Sequence, residues 1–270
     1  MSERTELLPG SFCWPELATP DSPKAKAFFA GLFGWTPVDV PSAGGAYTLL
    51  QVRGLDVAAL RSLSPDEKSQ GIPSYFMTYI STASTDASAA KAAELGGKVL
   101  FGPFDVEGIG RMAVVQDPGG VVFALWEARG HIGARLVGEE NTLCWTELVT
   151  KDADGAKAFY SGLFGWTWKQ SDVSGPTEYH EIHRGDQSIG GMMPMKGQRW
   201  GDVPPHWMPY FFVSDCDASA AKAAGLGGAA VVPPTDIPHV GRFAVLSDDQ
   251  GAHFSVIAMA APAPAPAPAP

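Results

Sequence analysis

Two carboxylates open the chemical reading, Glu16 and Glu147, because both stand in the same setting: Trp14-Pro15-Glu16-Leu17 and Trp145-Thr146-Glu147-Leu148. Strand side chains alternate with period two, so Trp14 and Glu16 share one face, as do Trp145 and Glu147. Cys13 and Cys144 are then expected on the other face, as small packing residues under a helix. A carboxylate among indole and thioether groups is short of water, which raises its pKa and suits it to general-base work or to holding a hydroxyl or amine. The alternative is a structural hydrogen bond to backbone or to Arg111 or Arg242, and the residues leave the two readings balanced. His206 is the third acid/base candidate, since imidazole titrates at about pH 6.5.

Around these groups stand candidate ligand-binding residues. Met77, Tyr79 and Trp126 in the first half, and Met208, Tyr210 and Ser255 in the second, join Trp14 and Trp145 as walls for a flat apolar ligand. Arg111 and Arg242 each follow a glycine at the start of equivalent strands and are candidates to clamp a carboxylate or phenolate.

What must position them is a duplicated chain. CWPELATPDSPKAKAFFAGLFGWT, from Cys13, returns as CWTELVTKDADGAKAFYSGLFGWT, from Cys144, an offset of 144 − 13 = 131. The same offset carries Asp86–Gly97 onto Asp217–Gly228 and Gly110–Gly120 onto Gly241–Gly251. The expected organisation is a first domain at 8–130, a connector at 131–141, a second domain at 142–259 and an Ala-Pro tail at 260–270. Each copy reads as strand (Phe12–Ala18), helix (Ser22–Phe33, with Ala27, Phe28, Gly31 and Leu32 on one face) and three strands (Trp35–Val40, Ala46–Val52, Leu55–Leu60). The layout then repeats as strand Phe76–Ser81, helix Thr85–Leu95 and strands Lys98–Phe101, Arg111–Gln116 and Val121–Trp126. The predicted fold class is α+β: four β-α-β-β-β modules paired into two homologous domains, each with a concave mixed sheet.

Composition narrows the partners. In 270 residues, 19 Lys+Arg against 29 Asp+Glu give a net charge of −10, which argues against nucleic acid or an anionic membrane. No window approaches the roughly 18 apolar residues of a membrane span. The N-terminus has no apolar export segment, and Cys13, Cys144 and Cys216 are too scattered for a disulfide framework, so a reducing cytoplasm is expected.

The opening WxEL-x₃-D-x₄-KAFxxGLFGW, the second helix ending in Gly-Gly and the GR-x-AV-x₂-D run before a last strand resemble the vicinal-oxygen-chelate superfamily of glyoxalases, extradiol dioxygenases and bleomycin-resistance proteins, in its tandem two-domain actinobacterial form. The resemblance implies a divalent metal in each cup, held by His and Glu from first and last strands of the modules. The matching positions here hold Trp14, Met77 and Ala124, then Trp145, Met208 and Ser255, with Val57–Leu60 and Ile189–Met192 on the remaining strands. None is His or Glu, and the six histidines (His131, His180, His183, His206, His239, His253) all follow residue 130. An improvised site from His206, His253 and Glu147 is the metal alternative; the expectation is no metal and no cofactor.

The resulting reading is a metal-independent protein binding a small apolar or aromatic compound, in antibiotic resistance or secondary metabolism. The alternative is an enzyme of secondary metabolism, a glyoxalase-like lyase, hydroxylase or cyclase acting on a polyketide or quinone-like ring through Glu16, Glu147 or His206. The partner is a small molecule, and the covalent duplication, standing in for a homodimer, predicts a monomer.

Overall fold

The computed structural model describes residues 3–42, 45–106, 108–171, 178–197 and 200–260, so the Ala-Pro tail beyond Ala260 lies outside the described residues. The first strand, β1 (Phe12–Thr19), leads through Asp21 into α1 (Ser22–Phe33). The Asp21 carboxylate accepts from the Lys24 amide, and Gly34, at φ 70°, closes the helix by donating to Ala30 O. Ala25, Phe28, Phe29, Leu32 and Phe33 are its buried face. Of the expected stripe, Phe28 and Leu32 are buried and Gly31 is half-buried, whereas Ala27 is exposed; Ala25, Phe29 and Phe33 complete the face.

Three strands follow, β2 (Thr36–Ser42), β3 (Gly45–Val52) and β4 (Leu55–Ser62), then the short helix α2 (Pro65–Ser69). The second module is β5 (Tyr75–Ser81), α3 (Thr85–Glu94), β6 (Lys98–Val106), β7 (Gly110–Gln116) and β8 (Val122–Ala128). The second half repeats this as β9 (Leu143–Thr150), α4 (Ala153–Phe164), β10 (Thr167–Gln170), β11 (His180–Arg184) and β12 (Gln187–Pro194). It ends with β13 (His206–Phe212), α5 (Cys216–Gly225), β14 (Ala229–Ile237), β15 (Gly241–Ser247) and β16 (His253–Met259). Helix α2 is the one element the hydrophobic pattern does not announce; a capping box between Ser64 and Glu67 holds it.

Each half forms one eight-stranded mixed sheet, in the order β2-β3-β4-β1-β5-β8-β7-β6 and its repeat β10-β11-β12-β9-β13-β16-β15-β14. The first strand is parallel to β4 and antiparallel to β5, so the two modules of a half join along their first strands. This is the predicted α+β fold of paired β-α-β-β-β modules. No described helix is long and apolar enough to cross a membrane.

The cores on the helix side belong to both halves at once. One cluster joins Phe28, Phe29, Leu32 and Trp35 to Phe211, Cys216, Ala220 and Phe254; the other joins Ala89, Ala92 and Phe123 to Phe159, Tyr160, Trp166 and Trp207. The close approach explains one glycine of the repeated GLFGW run: a Cβ on Gly31 would come within 2.9 Å of Leu226, and one on Gly162 within 2.9 Å of Leu95. Trp35 donates to Asn141 O at 2.8 Å and Trp166 to Gly10 O at 2.9 Å, fastening each helix-side core to the other half's leading segment. Either half expressed alone exposes one wall of both cores. Residues 1–130 and 131–270 made separately should therefore bind a hydrophobic dye and aggregate, whereas co-expression should give a soluble one-to-one complex by size exclusion with light scattering.

Candidate functional site

The concave faces, or cups, are built outward from β1 and β9, and a bulge decides what enters them. The β1–β5 register shifts between Phe12 and Trp14, and the β9–β13 register shifts between Tyr210 and Phe211. Phe12 therefore packs into the helix-side core against Trp166 and Trp207, while Cys13 and Trp14 both join the cup cluster. The expectation that Cys13 and Cys144 lie under helices is corrected on this ground, because one extra residue resets the alternation. The two thiols donate to Tyr79 O and Tyr210 O, each at 3.4 Å, and burial pushes both up to about 12, so they are packing residues.

In the first cup, Trp14 Nε1 donates to Tyr47 Oη at 3.1 Å, and Tyr47 donates to Glu16 Oε2 at 2.7 Å. Tyr79 also reaches this carboxylate. Glu16, only 4% exposed, is then paired with Arg61, whose Nε donates to Oε1 at 3.2 Å. Arg61 continues into a bidentate pair with Glu67 at 2.8 Å on both arms, and donates to Tyr75 Oη at 2.8 Å. Its guanidinium holds the Glu67 carboxyl down at about 2. The counter-charge stands on β4, and helix α2 supplies Glu67, which holds the Arg61 guanidinium at the edge of this cup.

The first cup is also covered. The connector after β8 turns back over it: the His131 ring stands edge-on to Trp14 with centroids 4.8 Å apart, and Trp126 Nε1 donates to His131 O at 2.8 Å. Ala134 donates to Cys13 O at 2.8 Å and packs in one cluster with Trp14, Met77, Tyr79 and Trp126. His131 Nδ1 accepts from the Gly133 amide at 3.2 Å, leaving Nε2 directed at Asp56, 3.5 Å away.

The second cup repeats the indole–phenol–carboxylate chain and changes its surroundings. Trp145 Nε1 donates to Tyr179 Oη at 2.8 Å, and the hydroxyls of Tyr179 and Tyr210 both bond Glu147, the latter at 3.1 Å. Met208 is the register partner of Glu147 on β13, and Ser255 is that of Tyr210 on β16. Gly191 is the partner on β12; a Cβ there would overlap the Tyr179 hydroxyl, so this glycine makes room for the phenol. The equivalent of Arg61 is uncharged: β1–β4 pairing sets Arg61 opposite Ala18, and β9–β12 pairing sets Met193 at the matching place, opposite Val149. No ion pair to Glu147 exists among the described residues. Burial accordingly pushes its carboxyl up to about 7, against the opposite pull of the two phenol hydrogen bonds.

Several expected site residues lie elsewhere. His206 shares the cup side of β13 but pairs with Val149, one alternation beyond Glu147; its Nδ1 donates to Pro204 O at 2.8 Å, and burial holds the imidazole below its usual range. Arg111 and Arg242 do not enter the cups. They share the helix side of β7 and β15 with Ala113 and Ala244, where Arg111 pairs with Asp86 and Asp105, and Arg242 with Asp217 and Asp236. Strand parity is the reason: cup-facing Met112 and Phe243 come next in the chain.

The scan against protein families matches the glyoxalase/bleomycin resistance protein/dioxygenase superfamily at residues 12–125 and again at 142–256. The chain belongs to that superfamily. Among its superfamily relatives, CFP32 of Mycobacterium bovis, provisionally named a glyoxylase, is 43% identical over 96% of this chain and 99% of its own. The anthracycline biosynthesis protein DnrV of Streptomyces peucetius is 36% identical over 94% of this chain and 95% of its own. Solved superfamily structures share the fold at low identity. A Mn(II)-bound glyoxalase from Novosphingobium aromaticivorans superposes with a TM-score of 0.62 at 17% identity, covering 93% of this chain and 83% of that one. An extradiol ring-cleaving dioxygenase from B. fuscum gives 0.63 at 15%, covering 98% and 77%.

The superfamily's divalent ion does not fit the donors present. Each cup centre offers one carboxylate, hydrogen-bonded by phenols and surrounded by Trp and Met, and no group of three His, Cys, Asp or Glu able to hold a metal occurs among the described residues. His206, His253 and Glu147 in particular do not form one. Three residues that the sequence did not single out complete the picture: Tyr47, Tyr179 and Arg61. The tyrosines recur at 179 − 47 = 132, one more than the main offset, so a match at 131 sets Tyr47 against Glu178 and hides the pair.

Proposed function

We propose that the second cup binds a small aromatic or polyketide-like molecule without a metal, and that Glu147 exchanges a proton with it. The observation that supports this most is a buried carboxyl pushed up to about 7, held by two phenols, with an indole and a thioether around it and no ion pair among the described residues. A carboxyl poised near neutrality is an efficient general base or acid, and an apolar enclosure strengthens each hydrogen bond to a ring hydroxyl or carbonyl. The first cup, its carboxylate paired and its centre covered by His131 and Ala134, is assigned a structural part. Kinship with DnrV supports a polycyclic aromatic substrate and a place in antibiotic biosynthesis.

A hydroxyanthraquinone titrated into the purified protein tests the reading. Tryptophan quenching should be lost in Trp145→Phe and kept in Trp14→Phe, with metal content well below one ion per chain and no effect of a chelator. Quenching that follows Trp14, or stoichiometric nickel, zinc or iron whose removal abolishes binding, would overturn it.

A further inference from the structure

A cleft of about 350 Å³ opens between the leading segment and the starts of β1 and β9, lined by neither Glu16 nor Glu147. Two guanidiniums line it, Arg4 and Arg184, and they stand apart among the described arginines. Of the eight described arginines, Arg53, Arg61, Arg111, Arg129, Arg135 and Arg242 each form an ion pair with a carboxylate, whereas Arg4 and Arg184 form none among the described residues. Their partners are neutral: Arg4 Nη1 donates to Phe12 O at 3.2 Å, and Arg184 donates to Ser11 Oγ at 2.9 Å and to Gln187 Oε1 at 2.8 Å. Glu6 lines the same cleft and ion-pairs with neither.

In a chain with a net charge of −10, two neighbouring cations that form no ion pair among the described residues are an unmet electrostatic demand. Burial, reinforced by Arg184 nearby, holds the Arg4 pKa below its ordinary value, so a bound anion would relieve both costs. The remaining wall is apolar, with Leu7, Ile189 and Trp145, and the volume falls in the range of small-molecule pockets.

The geometry points to a second ligand site in this cleft, for a flat aromatic monoanion whose carboxylate lies between Arg4 and Arg184 and whose ring lies along Leu7, Ile189 and Trp145. Planar guanidiniums recognise a carboxylate by paired hydrogen bonds, and the apolar wall adds affinity through the ring. The site borders the second cup through Cys144 and Trp145, and neither Glu147 nor its two phenols line it.

Calorimetry with 2-naphthoate and its neutral analogue 2-naphthamide tests the assignment. Naphthoate should bind one per chain and at least tenfold more tightly than naphthamide, with affinity falling as salt is raised. Arg4→Gln and Arg184→Gln should each weaken naphthoate at least tenfold while leaving naphthamide unchanged and the thermal midpoint within a few degrees. Glu147→Gln should leave naphthoate binding intact, so failure of the cup reading and failure of this one are separable. No naphthoate binding, equal affinity for the two probes in the wild type, or naphthoate affinity untouched by both arginine variants overturns the proposal.

Discussion

Replacing Arg61 by methionine costs the protein about 3 kcal/mol of folding stability at pH 8, the lower end of what removing one partner of a buried ion pair costs, and less at pH 5. The substitution gives the first cup the residue type that the second has at Met193. Glu16 is 4% exposed and loses its only ion-pair partner among the described residues, so its ionised form is left with phenol hydrogen bonds alone. A buried carboxylate stripped of its partner costs stability through its charge, and protonation removes that charge, so the deficit shrinks as pH falls. The Arg61–Glu67 part of the loss behaves differently. Glu67 is held down at about 2 in the fold, so its contribution is present throughout the range from pH 5 to pH 8 and is lost nearly equally at both. Urea denaturation of wild type and Arg61→Met at the two pH values reads the difference. Adding Glu16→Gln to Arg61→Met should restore most of the pH 8 loss. An equal deficit at both pH values, unrelieved by the second change, would show that the charge on Glu16 is not what Arg61 serves.

The second large effect is the pH dependence carried by Glu147. Its carboxyl lies at about 7 in the fold against 4.5 ordinarily, so between those values the native state keeps a proton that the unfolded chain has released. Stability from this group is therefore intact below about pH 4.5, falls as pH rises, and levels off above pH 7. At 1.36 kcal/mol per unit the full swing is about 3 kcal/mol, of which roughly 2.5 falls between pH 5 and pH 8. Glutamine carries no such proton, and both phenols retain a carbonyl to bond. Stability of Glu147→Gln relative to wild type should accordingly rise by that amount over the interval. An infrared difference spectrum should show the protonated carboxyl band vanishing with a midpoint near pH 7 in wild type and absent from the variant. A flat relative stability would mean that water or a cation reaches the carboxylate.

The duplication, the strand and helix order, and the pairing of Trp14 with Glu16 and Trp145 with Glu147 are all written in local patterns: repeated blocks, alternation with period two, an Asp21 cap and a Gly34 stop. Where such patterns alone were followed through a bulge, as at Cys13 and Cys144, parity failed by one residue. Where they ran to a neighbouring strand residue, as at Arg111 and Arg242, a side chain expected in the cup stands on the helix face. The His131 cover escaped because a connector has no periodicity to follow, although it is the first histidine of the chain.

By itself, then, the sequence determined that there are two copies of one glyoxalase-type domain, that each cup centre carries a carboxylate instead of the usual metal ligands, and which strand carries it. Only the tertiary structure decided that the two carboxylates differ. That difference comes from strand pairing between residues far apart in the chain, Arg61 reaching Glu16 across 61 − 16 = 45 positions and Met193 standing in its place beside Glu147. A pKa is set by what lies within a few ångströms, and no local pattern states which distant residue that will be.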